Sequence, residues 1–219
     1  MFRMEEDLLS ILQSGSRRQF LGTRLARSSL AFPHLQVGMI IPDLVFVGRI
    51  SQAKTKPGRA SRLSVFDTWV LAEILRNGPV RRDLITRRLH TRTERTRATL
   101  RRLVSLRLVA ALDGGFYGVG KRGFHSSLEV VAVEAKLTRW KQAVKQAAEY
   151  QRFSNRSYVA LPESTIAGSE LVSKACMGSG VGLIAVRKRQ LRVVVKPRRQ
   201  EPRSPEWLWL LSKTIGLSG

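Results

Sequence analysis

Cysteine is almost missing from this chain of 219 residues: Cys176 stands alone. One thiol cannot build an internal disulfide or a cysteine-rich zinc site, so any catalytic metal must rest on oxygen ligands. Long apolar runs are missing as well. No uninterrupted stretch approaches the roughly 18 residues that cross a bilayer. The opening segment MFRMEEDLLSILQ carries Glu5, Glu6 and Asp7 where a secretory signal would be basic. The expectation is a cytoplasmic protein without a membrane partner. His34, His90 and His125 are scattered, with no spacing suited to zinc or to a Ser/His/Asp or Cys/His arrangement. The glycines of GSGVG (178–182) precede an apolar run with no Gly-Lys-Ser/Thr after them, which reads as a turn and not as a phosphate loop.

Acid is scarce too. Against 16 Asp and Glu stand 39 Lys and Arg, a formal net charge of +23, and that balance favours a polyanionic partner. Hydrophobic residues make up 43% of the chain, enough for one or two packed cores and too much for a disordered basic tail. The surplus is uneven: residues 1–48 hold 5 basic and 4 acidic side chains, 49–125 hold 18 and 5, and 126–219 hold 16 and 7. Two stretches read as linkers: SQAKTKPGRASR (51–62) and the proline-bearing KPRRQEPRSP (196–205).

In the middle, VFDTWVLAEILR (65–76) places Val65, Trp69, Ala72 and Leu75, with Val70, Leu71 and Ile74 beside them, on one broad helical face, and Asn77-Gly78-Pro79 stops it. VRRDLITRRLH predicts a short second helix with Leu84, Ile85 and Leu89 inward. ERTRATLRRLVSLRLV predicts a third, keeping Ala98, Leu100, Leu103, Val104 and Leu106 for the core. Two short apolar strands then meet at Asp113-Gly114-Gly115, the chemistry of a hairpin turn. Over about 60 residues this succession resembles the winged helix-turn-helix DNA-binding domains of bacterial regulators. The resemblance implies DNA as partner, with Arg81, Arg82, Arg92, Arg95, Arg97, Arg101 and Arg102 on the major groove and its flanking phosphates.

The flanks follow an α/β rhythm. MEEDLLSILQ reads as a helix, and GMIIPDLVFVG as a hydrophobic strand interrupted by Pro42-Asp43. A carboxylate in the middle of such a strand is costly to bury and asks for a metal or a cationic partner. LEVVAVEAK (128–136) reads as a buried strand ending in Glu134-Ala135-Lys136, with Glu134 and Lys136 on one face. An amphipathic helix, the strand SYVALP, a helix over TIAGSELVSKACM and the strands VGLIAV and LRVVVK follow. The C-terminal PEWLWLLSKTIGL is an amphipathic helix expected to dock on the core or on a second copy of the chain in a homodimer.

A helical glutamate (Glu6 or Glu5), Pro42-Asp43, Glu134-Ala135-Lys136 and a helix with Gln146 and Tyr150 together resemble the PD-(D/E)XK, restriction endonuclease-like nuclease superfamily. That resemblance implies an α/β (α+β) mixed sheet flanked by helices and a metal-dependent DNA endonuclease. Asp43 and Glu134 would ligate Mg²⁺ or Mn²⁺, Lys136 would complete the catalytic set, and Glu6 and Gln146 would support it. Asp113 is a second candidate acid, but the hairpin already explains it, so Asp43 is preferred. The 90 residues between Asp43 and Glu134 make the winged helix an insertion. The expected organisation is 1–48 and 126–195 as a split nuclease-like domain, 63–120 as the winged helix, and 196–219 as linker and terminal helix. The protein would be nucleoid-associated when bound to DNA. The alternative is a non-catalytic winged-helix regulator with a degenerate nuclease-like domain.

Overall fold

The computed structural model of the chain describes residues 2–14, 17–49, 63–120, 128–188 and 190–215. The linker at 51–62, most of the junction at 118–127 and His125 lie outside them. Two compact units emerge: Met1–Gln52 with Ser127–Pro202, and Ala53–Ser126 with Arg203–Gly219. Among the described residues no helix is long and apolar enough to cross a membrane.

The first unit is a six-stranded mixed sheet flanked by helices. Its elements are α1 (Glu5–Ser14), α2 (Arg18–Leu21), α3 (Thr23–Ser28), β1 (Leu30–Pro33) and β2 (Leu44–Arg49), then β6 (Leu128–Ala135), α7 (Trp140–Glu149), β7 (Arg156–Pro162), α8 (Glu163–Ile166), α9 (Glu170–Ser179), β8 (Gly182–Arg187) and β9 (Gln190–Val195). The strand order is β1-β2-β6-β7-β8-β9. β6, β7 and β8 run parallel, while β2 and β9 run against them.

Alternation splits the sheet cleanly because successive side chains leave opposite faces. On one face Val131, Val133 and Ala135 of β6 join Leu44, Phe46, Tyr158 and Ile184 in a cluster with Leu8 and Leu12 of α1, Phe20 of α2 and Leu25 of α3. On the other, α7 and α9 bury Ala143, Val144, Ala147, Val172 and Cys176. Those helices pack on β6, β7 and β8. The carboxyl ends of β6, β7 and β8 and the amino ends of β2 and β9 therefore share one edge. The segment expected to form a single helix over 165–177 is two, α8 and α9, broken at Gly168 (φ 77°), a conformation that β-carbon-bearing residues rarely adopt.

Burial raises the Cys176 thiol to about 11. At pH 8 only about one thiol in a thousand is then ionised, and the thiolate is the nucleophile. Iodoacetamide should leave native Cys176 unmodified over hours by mass spectrometry and label it within minutes in guanidinium.

The second unit comprises α4 (Val65–Asn77), β3 (Val80–Arg81), α5 (Arg82–Arg88), α6 (Thr93–Ser105), β4 (Val109–Leu112), β5 (Phe116–Val119) and α10 (Pro205–Ile215). The strands form an antiparallel sheet in the order β3-β5-β4. Gly114 and Gly115 take φ of 67° and 75° at the hairpin tip, where side chains with a β-carbon would be strained. A reciprocal capping box starts α4: Ser64 Oγ accepts from the Asp67 amide, and Asp67 Oδ2 accepts from the Ser64 amide.

The expected core face of α4 is shifted. Val65 and Trp69 are exposed, while Val70, Leu71, Ala72 and Ile74 are buried with Asp67 and Thr68. On α6, Thr96 and Thr99 occupy the interior with Leu100 and Leu103, and Ala98 faces out. Threonine supplies the missing apolar methyls there, and Thr96 Oγ1 returns its hydroxyl to the Arg92 carbonyl. α10 packs against α4 and buries Trp207, Leu208, Leu210 and Leu211.

Candidate functional site

Asp43 does not sit in the middle of a strand, as the sequence suggested, but one residue before β2 begins. The β2–β6 register pairs Leu44 with Val133; one step further along the same antiparallel ladder, Asp43 comes opposite Glu134. Residues far apart in sequence are thus neighbours across adjacent strands. The Asp43 side chain is 18% exposed, and its Oδ2 accepts the Ala135 amide at 2.8 Å, which relieves most of the desolvation cost the sequence had flagged.

Lys136, just past β6, gathers the oxygens. Its Nζ lies 2.8 Å from Glu134 Oε1, 3.3 Å from Glu5 Oε2 and 3.6 Å from Asp43 Oδ2, and it donates to the Ala135 carbonyl at 3.3 Å. The Lys136 amide donates to the Ala160 carbonyl at 3.1 Å, tying the residue to β7. Glu5, not Glu6, is the α1 residue that reaches this centre; Glu6 is exposed. Adjacent helical residues project about 100° apart, so only one of the two can face the strand end.

Glu134 is 1% exposed. Burial holds its carboxyl above the usual carboxylate range, against the hydrogen bonds from Lys136 and Tyr150, and the charge of Asp43 pushes the same way as burial. For Lys136, burial opposes the charged form, but the hydrogen bond to Glu134 and the charges of Glu134, Asp43 and Glu5 outweigh it, so the ammonium titrates above its ordinary range. Tyr150 donates its hydroxyl to Glu134 Oε2, and burial followed by the Glu134 charge raises the phenol well above its ordinary value.

Tyr150 begins a 3₁₀ turn at the end of α7, and the apolar periodicity of that helix reads it as core. It is core in burial and a hydrogen-bond donor at its tip, a combination tyrosine permits. Gln146 lies one turn earlier on the same side of α7, with its Oε1 buried and without a hydrogen-bond partner among the described residues.

Among the described residues no group of three or more His, Cys, Asp and Glu side chains is arranged to hold a metal by itself. The acids are assembled around an ammonium instead. The donor chemistry nonetheless suits Mg²⁺ or Mn²⁺, because every polar atom around Lys136 Nζ is a hard oxygen: three carboxylates and the Ala135 carbonyl. Among the described residues no hydrogen bond occupies Asp43 Oδ1.

The arginines of the second unit divide into engaged and free. Arg102 pairs with Asp67, which is 0% exposed, and with Ser64 Oγ at 3.0 Å. It therefore joins α6 to the cap of α4, since a buried carboxylate requires a cation. Arg95 covers the Phe66 ring at 4.1 Å. Arg81 lies over Phe116 at 6.0 Å with its Nε 3.7 Å from Asp83. Arg82 Nε is buried without a hydrogen-bond partner among the described residues. Arg92, Arg97 and Arg101 are exposed, and among the described residues they pair with no carboxylate. Arg97 and Arg101, four apart, share one side of α6.

No protein-family model matches the chain, and no curated protein matches it. Among solved structures, the SPO1766 protein of unknown function from Silicibacter pomeroyi is similar over 55% of this chain and 80% of its own length, with 18% identity and a TM-score of 0.30. That likeness is too slight to carry fold or activity across.

Proposed function

We propose that the chain is a DNA-binding, metal-dependent endonuclease, in which the mixed-sheet unit is of PD-(D/E)XK type and the inserted unit is a winged helix-turn-helix. The observation that carries this reading is the convergence of Asp43, Glu134 and Lys136 at one strand end, with Lys136 Nζ within 3.6 Å of both carboxylates. A degenerate domain has no reason to keep three buried or half-buried acids and one lysine on a common point.

Asp43, Glu134 and the Ala135 carbonyl would hold Mg²⁺ or Mn²⁺. The bound cation would polarise the scissile phosphate and lower the pKa of a water. Lys136, held as an ammonium by the carboxylates around it, would stabilise negative charge on the phosphoryl oxygens. Glu5 and Asp43 hold the ammonium in position, and Tyr150 fixes the rotamer of Glu134. The test is cleavage of supercoiled plasmid and of branched or single-stranded DNA with Mg²⁺ or Mn²⁺. Cutting that EDTA abolishes is expected; DNA binding without cutting on any substrate would favour the regulator instead.

In the inserted unit the three helices and the β3-β5-β4 sheet follow the winged-helix order, and α6 is the helix for the groove. Its free arginines set the salt dependence. Three phosphate contacts give a slope of about −2.7 in log affinity against log salt, so moving from about 50 to 200 mM salt weakens binding about fortyfold. Replacing Arg97 and Arg101 together by alanine should flatten the slope to about −0.9 in fluorescence anisotropy titrations, whereas a slope that does not change would remove α6 from the interface.

A further inference from the structure

The sheet edge that carries Asp43 and Lys136 is chemically lopsided, and its two sides match the two parts of a nucleic-acid strand. Toward β1, the connection to β2 makes a tight turn: the Val37 amide donates to the Ile40 carbonyl at 2.8 Å and the Ile40 amide returns the bond at 3.1 Å. Gly38 takes φ 65°, Val37 and Pro42 are buried as anchors, and the tip residue Met39 is 100% exposed, with Ile41 at 56%. Met39 stands four positions before Asp43, at most about 14 Å of extended chain. Met39 and Ile41 together give this anchored turn a small apolar tip that an apolar partner can meet.

On the far side, β8 ends at this edge and turns into β9 through Arg187 and Lys188, both exposed. Glu163 is shared between Arg187 at 3.7 Å and Arg192 at 3.2 Å, leaving this group with a positive surplus. β8 is two strand spacings from β6, about 10 Å.

A nucleic acid presents both a polyanionic backbone and flat apolar base faces. We infer that this edge is a track for one DNA strand, with phosphates on Arg187 and Lys188 and the Met39 turn set against an unstacked base on the other side of Lys136. A base face is open to a side chain only where stacking is already broken, or where a wedge breaks it at a cost. The favoured substrates are therefore those with unpaired nucleotides beside the cut: flaps, bubbles and single strands. The inference rests on the proposed nuclease reading for the position of the cut, and not for the binding surface.

The test compares kcat/KM on a labelled duplex and on the same duplex with a central unpaired segment, for the full chain with Mg²⁺. The wild type should favour the unpaired substrate about tenfold, the scale of one base stacked on a side chain. Met39→Ala should bring that ratio near unity while duplex cutting persists. Arg187→Glu with Lys188→Glu should raise KM about tenfold on both, with kcat within about twofold. Equal wild-type rates on the two substrates, or a preference that survives Met39→Ala, would overturn the track. Absence of cleavage on every substrate would fail the nuclease reading alone. The track is then judged by anisotropy with a fluorescein-labelled single strand: about tenfold weaker binding in the double variant supports it, and equal binding refutes it. All three substituted residues are exposed, and circular dichroism checks that the variants fold.

Discussion

Glu134→Gln lowers Mg²⁺-dependent DNA cleavage by at least about a hundredfold and leaves DNA affinity within about twofold. The substitution keeps the shape of a side chain that is 1% exposed and can still receive the Tyr150 hydroxyl, so the fold survives. What it removes is the negative charge that fixes Lys136 at 2.8 Å and that, on the proposed reading, would hold the divalent cation. Losing one oriented electrostatic group at a reacting centre costs about 10²–10³ in kcat. Lys136→Ala should fall by a similar factor, because no other cation among the described residues lies on these three carboxylates. Two neighbours sharpen the assignment. Glu5→Gln should lower kcat by about tenfold, since Glu5 reaches the ammonium, whereas Glu6→Gln should change nothing. Tyr150→Phe should weaken activation by Mg²⁺, raising the concentration needed for half-maximal rate, because it frees the Glu134 rotamer without altering charge. Plasmid nicking assays at varied Mg²⁺ read all five variants. Equal losses in Glu5→Gln and Glu6→Gln would show that α1 acts through general acidity and not through the Lys136 contact.

Much of this centre was legible before any coordinates, and the illegible parts have physical causes. The run LEVVAVEAK declares a buried strand with two charged residues at its end, and a buried charge always demands a partner. That Asp43 lies opposite Glu134 is a matter of register across a long insertion, and strand pairing leaves no local trace in sequence. The choice of Glu5 over Glu6 depends on the phase of α1 against the strand end, which only packing fixes. Tyr150 was named on its helix, but its hydrogen bond to Glu134 was hidden because burial and hydrogen bonding coexist in one side chain. In the helical unit the winged-helix resemblance set Arg81, Arg82, Arg92, Arg95, Arg97, Arg101 and Arg102 together on one partner. Arg102, Arg88 and Arg81 instead pair with Asp67, Glu73 and Asp83, so the unpaired positive charge is smaller than composition implies. Residues 18–33 carry no strong periodicity, and α2, α3 and β1 there hold their form through Phe20, Leu21 and Leu25 in the core and not through local propensity.

Arg156→Met destabilises the mixed-sheet unit by about 3–5 kcal/mol. Arg156 opens β7 and pairs with Glu129 of β6, a carboxylate 4% exposed. Its guanidinium also donates to the Phe20 carbonyl at 2.8 Å and to the Leu21 carbonyl at 3.1 Å, at the carboxyl end of α2. Tyr158 adds a third donor there, its hydroxyl 3.0 Å from the Phe20 carbonyl. A helix of four residues cannot stand on its own hydrogen bonds, so this clamp and the burial of Phe20 keep α2 on the sheet. Removing the cation leaves Glu129 charged and unpaired in an apolar layer, takes the guanidinium from the Leu21 carbonyl and leaves the Phe20 carbonyl to Tyr158 alone. A melting temperature lower by about 10 °C follows at this chain length, read by circular dichroism. Adding Glu129→Gln to Arg156→Met should recover at least about 1 kcal/mol, since the buried charge disappears with its partner; strict additivity would mean that the two side chains do not depend on each other. The clamp lies at the opposite end of β6 from Glu134. Below its melting transition the Arg156→Met protein should therefore cut DNA at the wild-type rate, which separates the residues that hold the sheet together from those that would act on the phosphate.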